Sequence, residues 1–165
     1  MENNSKDQLL DHVAPCSLLC YSCPGFTRGI ICELSSKLHT YFEGFYEFTK
    51  KNALEEYKSR ADSFKEFDEY LLLFTRPGCN GCRHNPNPES CIPGCFILEC
   101  TQEQGVDYCG ECSLFPCDKV RDIFNPDVYK RWLEGNRRIK EVGIIRYYKE
   151  EKDKSHYVDF ASNDS

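Results

Sequence analysis

Apolar residues recur at helical spacing in two long stretches of this chain, and no stretch alternates as a strand would. Between Glu33 and Lys51, Leu34, Leu38, Tyr41, Phe42, Phe45 and Phe48 line up on one face of an amphipathic helix. Lys50 and Lys51 suit its C-terminal end, where positive charge meets unpaired carbonyls. A second helix is expected from Asn52, which forms a capping-box pattern with Glu55 three residues on. Its face is Leu54, Tyr57, Ala61, Phe64, Phe67, Leu71 and Phe74, and Pro77 and Gly78 stop it. So short a connection predicts an antiparallel hairpin, with the aromatic stripe as core or packing surface.

The last third carries a stronger start signal. Asn125 is placed to cap, Pro126 to take the first helical position and Asp127 to meet the positive end of the dipole. Val128, Trp132, Ile139 and Val142 then face the core, Gly143 ends the helix, and Ile144, Tyr147 and Tyr148 predict one more short helix. Phe96 to Gln104 reads as a short helix ended by Gly105, and Pro116 as the first turn of a helix after Cys117. A loop is expected over residues 83–89, with Pro86 and Pro88. Residues 1–11 and 151–165 are polar and read as flexible tails around one domain over 12–150. The fold class predicted is mainly α: a small cysteine-rich, metal-stabilised domain with a helical hairpin, zinc-knuckle-like loops and C-terminal helices.

Charge narrows the partners. Over 165 residues the net charge is −6, which argues against a surface built to wrap nucleic acid. Lys130, Arg131, Arg137, Arg138, Lys140, Arg146 and Lys149 make the last helices locally basic. They read as a solvated helix face, so nucleic acid is not expected and a protein partner is. No basic segment followed by an apolar one opens the chain, and the longest dense apolar run, Leu71 to Phe74, is far too short to span a bilayer. A cytoplasmic location without membrane contact is expected, where thiols stay reduced.

That compartment decides how the twelve cysteines are read. Reduced thiols in C-x2-C and C-x3-C spacings are metal ligands rather than a disulfide framework, since each close pair can present two sulfurs to one ion. Eight of them, Cys79, Cys82, Cys91, Cys95, Cys100, Cys109, Cys112 and Cys117, fall within one central segment. There Gly81 is free to take the positive φ that a ligand turn requires. Cys16, Cys20 and Cys23 form a C-x3-C-x2-C group closed by Pro24 and Gly25, with Cys32 nine residues on. One grouping places Cys79, Cys82, Cys91 and Cys95 on one ion and Cys100, Cys109, Cys112 and Cys117 on another. Cys16, Cys20 and Cys23 then make a third site, completed by Cys32 or by a residue from the centre. An interleaved, cross-braced arrangement satisfies the same spacings. His84, two residues after Cys82, is a weaker candidate ligand.

Two or three zinc ions are the expected cofactors, and an iron-sulfur cluster is the alternative, because both accept all-cysteine ligation. The C-x3-C-x2-C spacing also occurs in radical enzymes, but the repeated strand and helix units of their barrel are missing here. No triad, carboxylate dyad or phosphate loop is present, so no catalytic residue is assigned. The function expected is a metal-binding structural, interaction or regulatory module. The alternative is an iron-sulfur or thiol-based redox protein with Cys20 and Cys23 as its reactive pair.

Ordered together, these motifs resemble a family. Ala14-Pro15-Cys16 opening C-x3-C-x2-C-Pro, Cys79-x-Gly81-Cys82, Cys95 to Cys100 with Glu103-x-Gly105, Cys109-x2-Cys112-x2-Phe115-Pro116-Cys117 and the later run from Arg138 to Gly143 form its pattern. It is a domain-of-unknown-function family of short, cysteine-rich bacterial and archaeal proteins, regarded as zinc-binding. The resemblance implies metal binding and no established activity. The family pattern has glycine after its first cysteine, where this chain has Ser17.

Overall fold

The computed structural model describes residues 6–52, 54–84, 91–155 and 157, and its regular elements are helices. Isolated bridges, Val13 with Leu19 and Phe26 with Cys79, stand in for strands among the described residues. Most of the expected loop around Pro86 and Pro88 lies outside the described residues. The chain divides into two compact units, one of Met1–Cys23 with Asn80–Ser165 and the other of Pro24–Cys79.

In Pro24–Cys79 the hairpin forms, but both of its predicted helices are interrupted. The first stops as α2 (Ile30–Phe42) and resumes as α3 (Phe45–Asn52), because Gly44 between them adopts φ 76°, a left-handed conformation that breaks the helical ladder. The second becomes α4 (Glu55–Lys58) and α5 (Ala61–Thr75). The capping box does not form. Asn52 ends α3, its amide donates to the Phe48 carbonyl at 3.2 Å, and Leu54 takes the cap position. The local signal lost to continuation of the preceding helix.

α2 packs on α5, and the contacts fix the direction of pairing. The Cys32 thiol donates to the Thr75 carbonyl at 3.4 Å, His39 Nδ1 lies 2.9 Å from Asp68 Oδ1, and the Phe42 ring meets Phe64 edge-on. Partner numbers fall as the α2 numbers rise, so the two run antiparallel. Phe42, Phe45, Phe64 and Phe67 form an aromatic cluster. Of the rest of the predicted stripe, Ala61 and Leu71 are buried, as are the polar Ser35 and Thr49, whereas Tyr41 is 84% exposed, Leu54 70% and Phe48 61%.

The other unit begins earlier than its polar sequence predicts. Residues Lys6–His12 form α1, with Leu9 fully buried, rather than a flexible tail to residue 11. Its apolar positions Leu9 and Val13 recur at i and i+4, a period too brief to register without a docking surface. That surface is one of two cores, made of Leu9, Val13, Leu19, Tyr108, Ile139, Tyr147 and Tyr148. The second core gathers Ala14, Cys16, Ile97, Phe115, Val120, Phe124 and Trp132.

α6 (Ile97–Glu103) ends as predicted near Gly105, which takes φ 66° while the Val106 N–H returns to the Thr101 carbonyl at 3.0 Å. The helix expected after Cys117 shrinks to a 3₁₀ turn, Asp118–Val120. The longest helix, α7 (Pro126–Val142), starts on its predicted cap, with Asn125 Oδ1 accepting from the Val128 N–H at 2.9 Å. Gly143 at φ 75° turns the chain into α8 (Ile144–Glu151), which buries Tyr147 and Tyr148. Arg138 pairs with Glu150 and Glu141, and Arg146 with Glu150, so acidic partners offset part of the basic face. No helix among the described residues is long and apolar enough to cross a membrane.

Candidate metal centre

The N-terminal cysteines sit in a tight, unusual turn. After buried Cys16, Ser17 adopts φ 69°, the left-handed region where glycine is favoured and other residues are strained. This is the position where the resemblance has glycine. Its hydroxyl donates to the Cys16 carbonyl and accepts from Asn136 Nδ2 at 3.1 Å, local bonds that offset the backbone cost. Cys20 then opens a 3₁₀ turn, Cys20–Ser22, and the Cys23 N–H closes it onto the Cys20 carbonyl at 2.9 Å.

Two segments distant in sequence join this turn. Gly81 takes the predicted positive φ, 85°, just before Cys82. Arg83 follows, and its guanidinium donates to the Leu10 and Val13 carbonyls at 3.2 and 3.1 Å and to the Asp107 carbonyl at 2.5 Å, with Tyr108 stacked beneath it. This strap ties the Cys82 segment to the start of the chain. The Cys95 N–H closes a further turn on Ile92 at 3.2 Å. Burial pushes the Cys16 thiol well above the ordinary range, and Cys82, Cys95 and Cys20 raise it further by repelling a second negative charge. Cys16, Cys20, Cys82 and Cys95 are therefore electrostatic neighbours.

The second gathering lies at the knuckle Cys109–Glu111, where the Cys109 N–H donates to the Pro15 carbonyl at 3.0 Å. Glu111 accepts from the Asp107 and Tyr108 N–H groups at 3.0 and 3.2 Å and closes the turn. Burial raises the Cys109 thiol to about 11. The Trp132 indole N–H opposes that rise, and Cys117, Cys100 and Cys112 reinforce it. Cys100 is raised by burial and then by Cys117 and Cys112. Cys100, Cys109, Cys112 and Cys117 thus form a second neighbourhood.

Cys23 and Cys91 both raise the Tyr157 phenol, after burial, and Cys91 is exposed. Cys32 and Cys79 belong to the hairpin unit, the first donating its thiol to Thr75, the second held through its backbone to Gly25 and Thr27 at 3.1 and 2.9 Å. His84 Nε2 lies 2.5 Å from Asp11 Oδ1. All twelve cysteines are free of disulfides. Four soft sulfur donors per neighbourhood suit zinc or iron chemically. Among the described residues, however, no group of three or more His, Cys, Asp or Glu side chains converges on a point that could hold an ion.

Sequence reasoning missed the residue that binds the two neighbourhoods to one helix. Asn136, fully buried on α7, accepts from the Gly110 N–H at 2.8 Å and donates to the Cys16 carbonyl at 3.2 Å, to Ser17 Oγ and to the Trp132 carbonyl at 2.9 Å. Its only sequence signal is a polar residue at i+4 from Trp132 and three residues before Ile139, on the predicted apolar face. Gly110 and Gly135 permit this approach. A Cβ on Gly110 would stand 2.3 Å from the Asn136 carbonyl oxygen, and one on Gly135 2.5 Å from Ser17 Oγ.

A family model described as a protein of unknown function, DUF3795, matches residues 12–122, a span that contains all twelve cysteines. No curated protein and no solved structure matches the chain.

Proposed function

The chain belongs to the DUF3795 family, and we propose that it is a metal-binding module built on two four-thiolate zinc sites. Cys16, Cys20, Cys82 and Cys95 would hold one ion, and Cys100, Cys109, Cys112 and Cys117 the other. The observation that carries the reading is that buried Cys16 has Cys82, Cys95 and Cys20 as charge neighbours, and that Cys100 and Cys109 share Cys117 and Cys112 as theirs. Four crowded thiols repel one another as thiolates, and a divalent cation relieves that repulsion. The thiol side chains must turn inward to close each site.

A zinc ion held by four cysteines has no open position for substrate, so its role is structural. One such ion contributes on the order of 10 kcal/mol to folding at neutral pH. That is comparable to the whole stability of an ordinary domain, about 5 to 15 kcal/mol. The net charge of −6 and the pairing of Arg138 and Arg146 with acids favour a protein partner over nucleic acid.

Elemental analysis of the reduced protein, purified without oxygen, tests the reading. Two zinc ions per chain are expected, Cys16→Ser losing one and Cys112→Ser the other. Metal-free protein that keeps its circular dichroism and melting curve would refute the structural role, and brown, iron-containing protein would replace zinc by an iron-sulfur cluster.

A further inference from the structure

Trp132 presents a polar atom that the described fold leaves unused. Its side chain is completely buried on α7, yet the indole Nε1–H makes no hydrogen bond of ordinary geometry. A buried donor without a partner costs roughly 1–3 kcal/mol, so native structures rarely keep one without a reason. Cys109 packs against the core that Trp132 anchors, and the indole N–H lies close enough to favour the charged form of that thiol. Phe115 and Tyr129 flank the indole at 5.1 and 5.4 Å between ring centroids, which restricts its rotation.

We infer that the Trp132 indole N–H is a positioning donor reserved for the Cys109 thiolate, forming an N–H···S hydrogen bond once that sulfur is metal-bound. The difference between the two protonation states supplies the reason. A neutral thiol is a weak acceptor, so the N–H gains little from it, whereas a thiolate is a charge-assisted acceptor. The buried donor therefore gains a full acceptor once the sulfur is metal-bound. Such a bond holds the sulfur at one orientation and withdraws some of its charge, as outer-shell donors do at metal ligands. The backbone already restricts Cys109 through its N–H to Pro15, so the indole fixes the remaining freedom, that of the side chain.

The inference rests on the metal reading above, and one experiment separates their fates. Trp132 is the only tryptophan in the chain, so the full-length protein gives a single indole N–H resonance. Reduced protein is titrated with Cd²⁺, following metal-thiolate charge-transfer absorption and the indole proton shift together. The expected result is growth of the absorption with a downfield move of the indole proton. Absorption without that move overturns the inference and leaves the metal reading standing; no absorption overturns both. Trp132→Phe keeps an aromatic ring but removes the donor. It should weaken metal affinity about tenfold, the lower end for loss of an outer-shell partner, and shift the Co²⁺ charge-transfer band to lower energy. A merely structural role for the indole would leave the band energy unchanged. Should the variant fail to fold, the wild-type indole shift alone decides.

Discussion

Replacing Asn136 with alanine isolates the contribution of the helix that carries both thiol neighbourhoods. The Gly110 N–H is buried and has Asn136 Oδ1 as its acceptor at 2.8 Å, so the variant leaves a buried donor orphaned, at roughly 1–3 kcal/mol. The bonds from Nδ2 to the Cys16 carbonyl and to Ser17 Oγ are worth about 1 kcal/mol each net, and losing them is milder because Ser17 Oγ still donates to Cys16. The Trp132 carbonyl keeps its helical partner, the backbone N–H four residues on, and adds nothing to the loss. The total is about 3–5 kcal/mol, before any cavity term. For a chain of this length each kcal/mol moves the midpoint by about 2–4 °C, which predicts a fall of roughly 6–20 °C. Thermal and urea unfolding of both proteins, reduced and at equal metal content, would measure it. Asn136→Asp keeps the acceptor for Gly110 but turns an acceptor toward the Cys16 carbonyl, so it should recover little of the loss. A cost below about 1 kcal/mol for alanine, or wild-type stability for aspartate, would refute the assignment of Asn136 as the shared support.

Gly110→Ala puts its Cβ 2.3 Å from a backbone oxygen of α7, a clash no rotamer relieves, so it should destabilise about as much as Asn136→Ala. The double variant should fall well short of the sum, since both changes break one contact, and additive unfolding energies would contradict this. Glu150 titrates near 2 rather than 4.5 because Arg138 and then Arg146 hydrogen-bond its carboxylate. A lowered folded-state value means that this stabilisation is present above pH 4.5 and is lost as pH falls toward 2. Melting curves of wild type and Glu150→Gln should thus differ at pH 6, converge near pH 2, and differ less at high salt; a gap that persists in acid would count against the ion pair.

The helical class and the ends of the C-terminal helices were legible in the sequence because they depend on residues within one turn. Asn125 caps α7 whatever the rest of the chain does, and Gly81, Gly105 and Gly143 adopt the left-handed values that glycine permits. The cysteine positions were equally plain, whereas Ser17 in place of the family's glycine suggested a differently shaped first turn and yet adopts the glycine-like φ of 69°. What failed locally failed for want of a neighbour. Asn52 and Glu55 had the form of a cap, yet α3 ran through Asn52. The polar segment before residue 12 became helix because Leu9 found a pocket between α7 and α8 residues.

Composition and short-range signals fix which atoms are available: twelve cysteines in ligand spacing, one tryptophan, and a long C-terminal helix started by its own cap. Which thiols become neighbours depends on long-range packing. Cys16 has Cys82 and Cys95 as charge neighbours across more than sixty residues of intervening chain, a proximity that spacing cannot specify because loop closure scarcely distinguishes one distant partner from another. The same holds for Asn136 and Trp132, ordinary helix positions until Gly110 and Cys109 are packed against them.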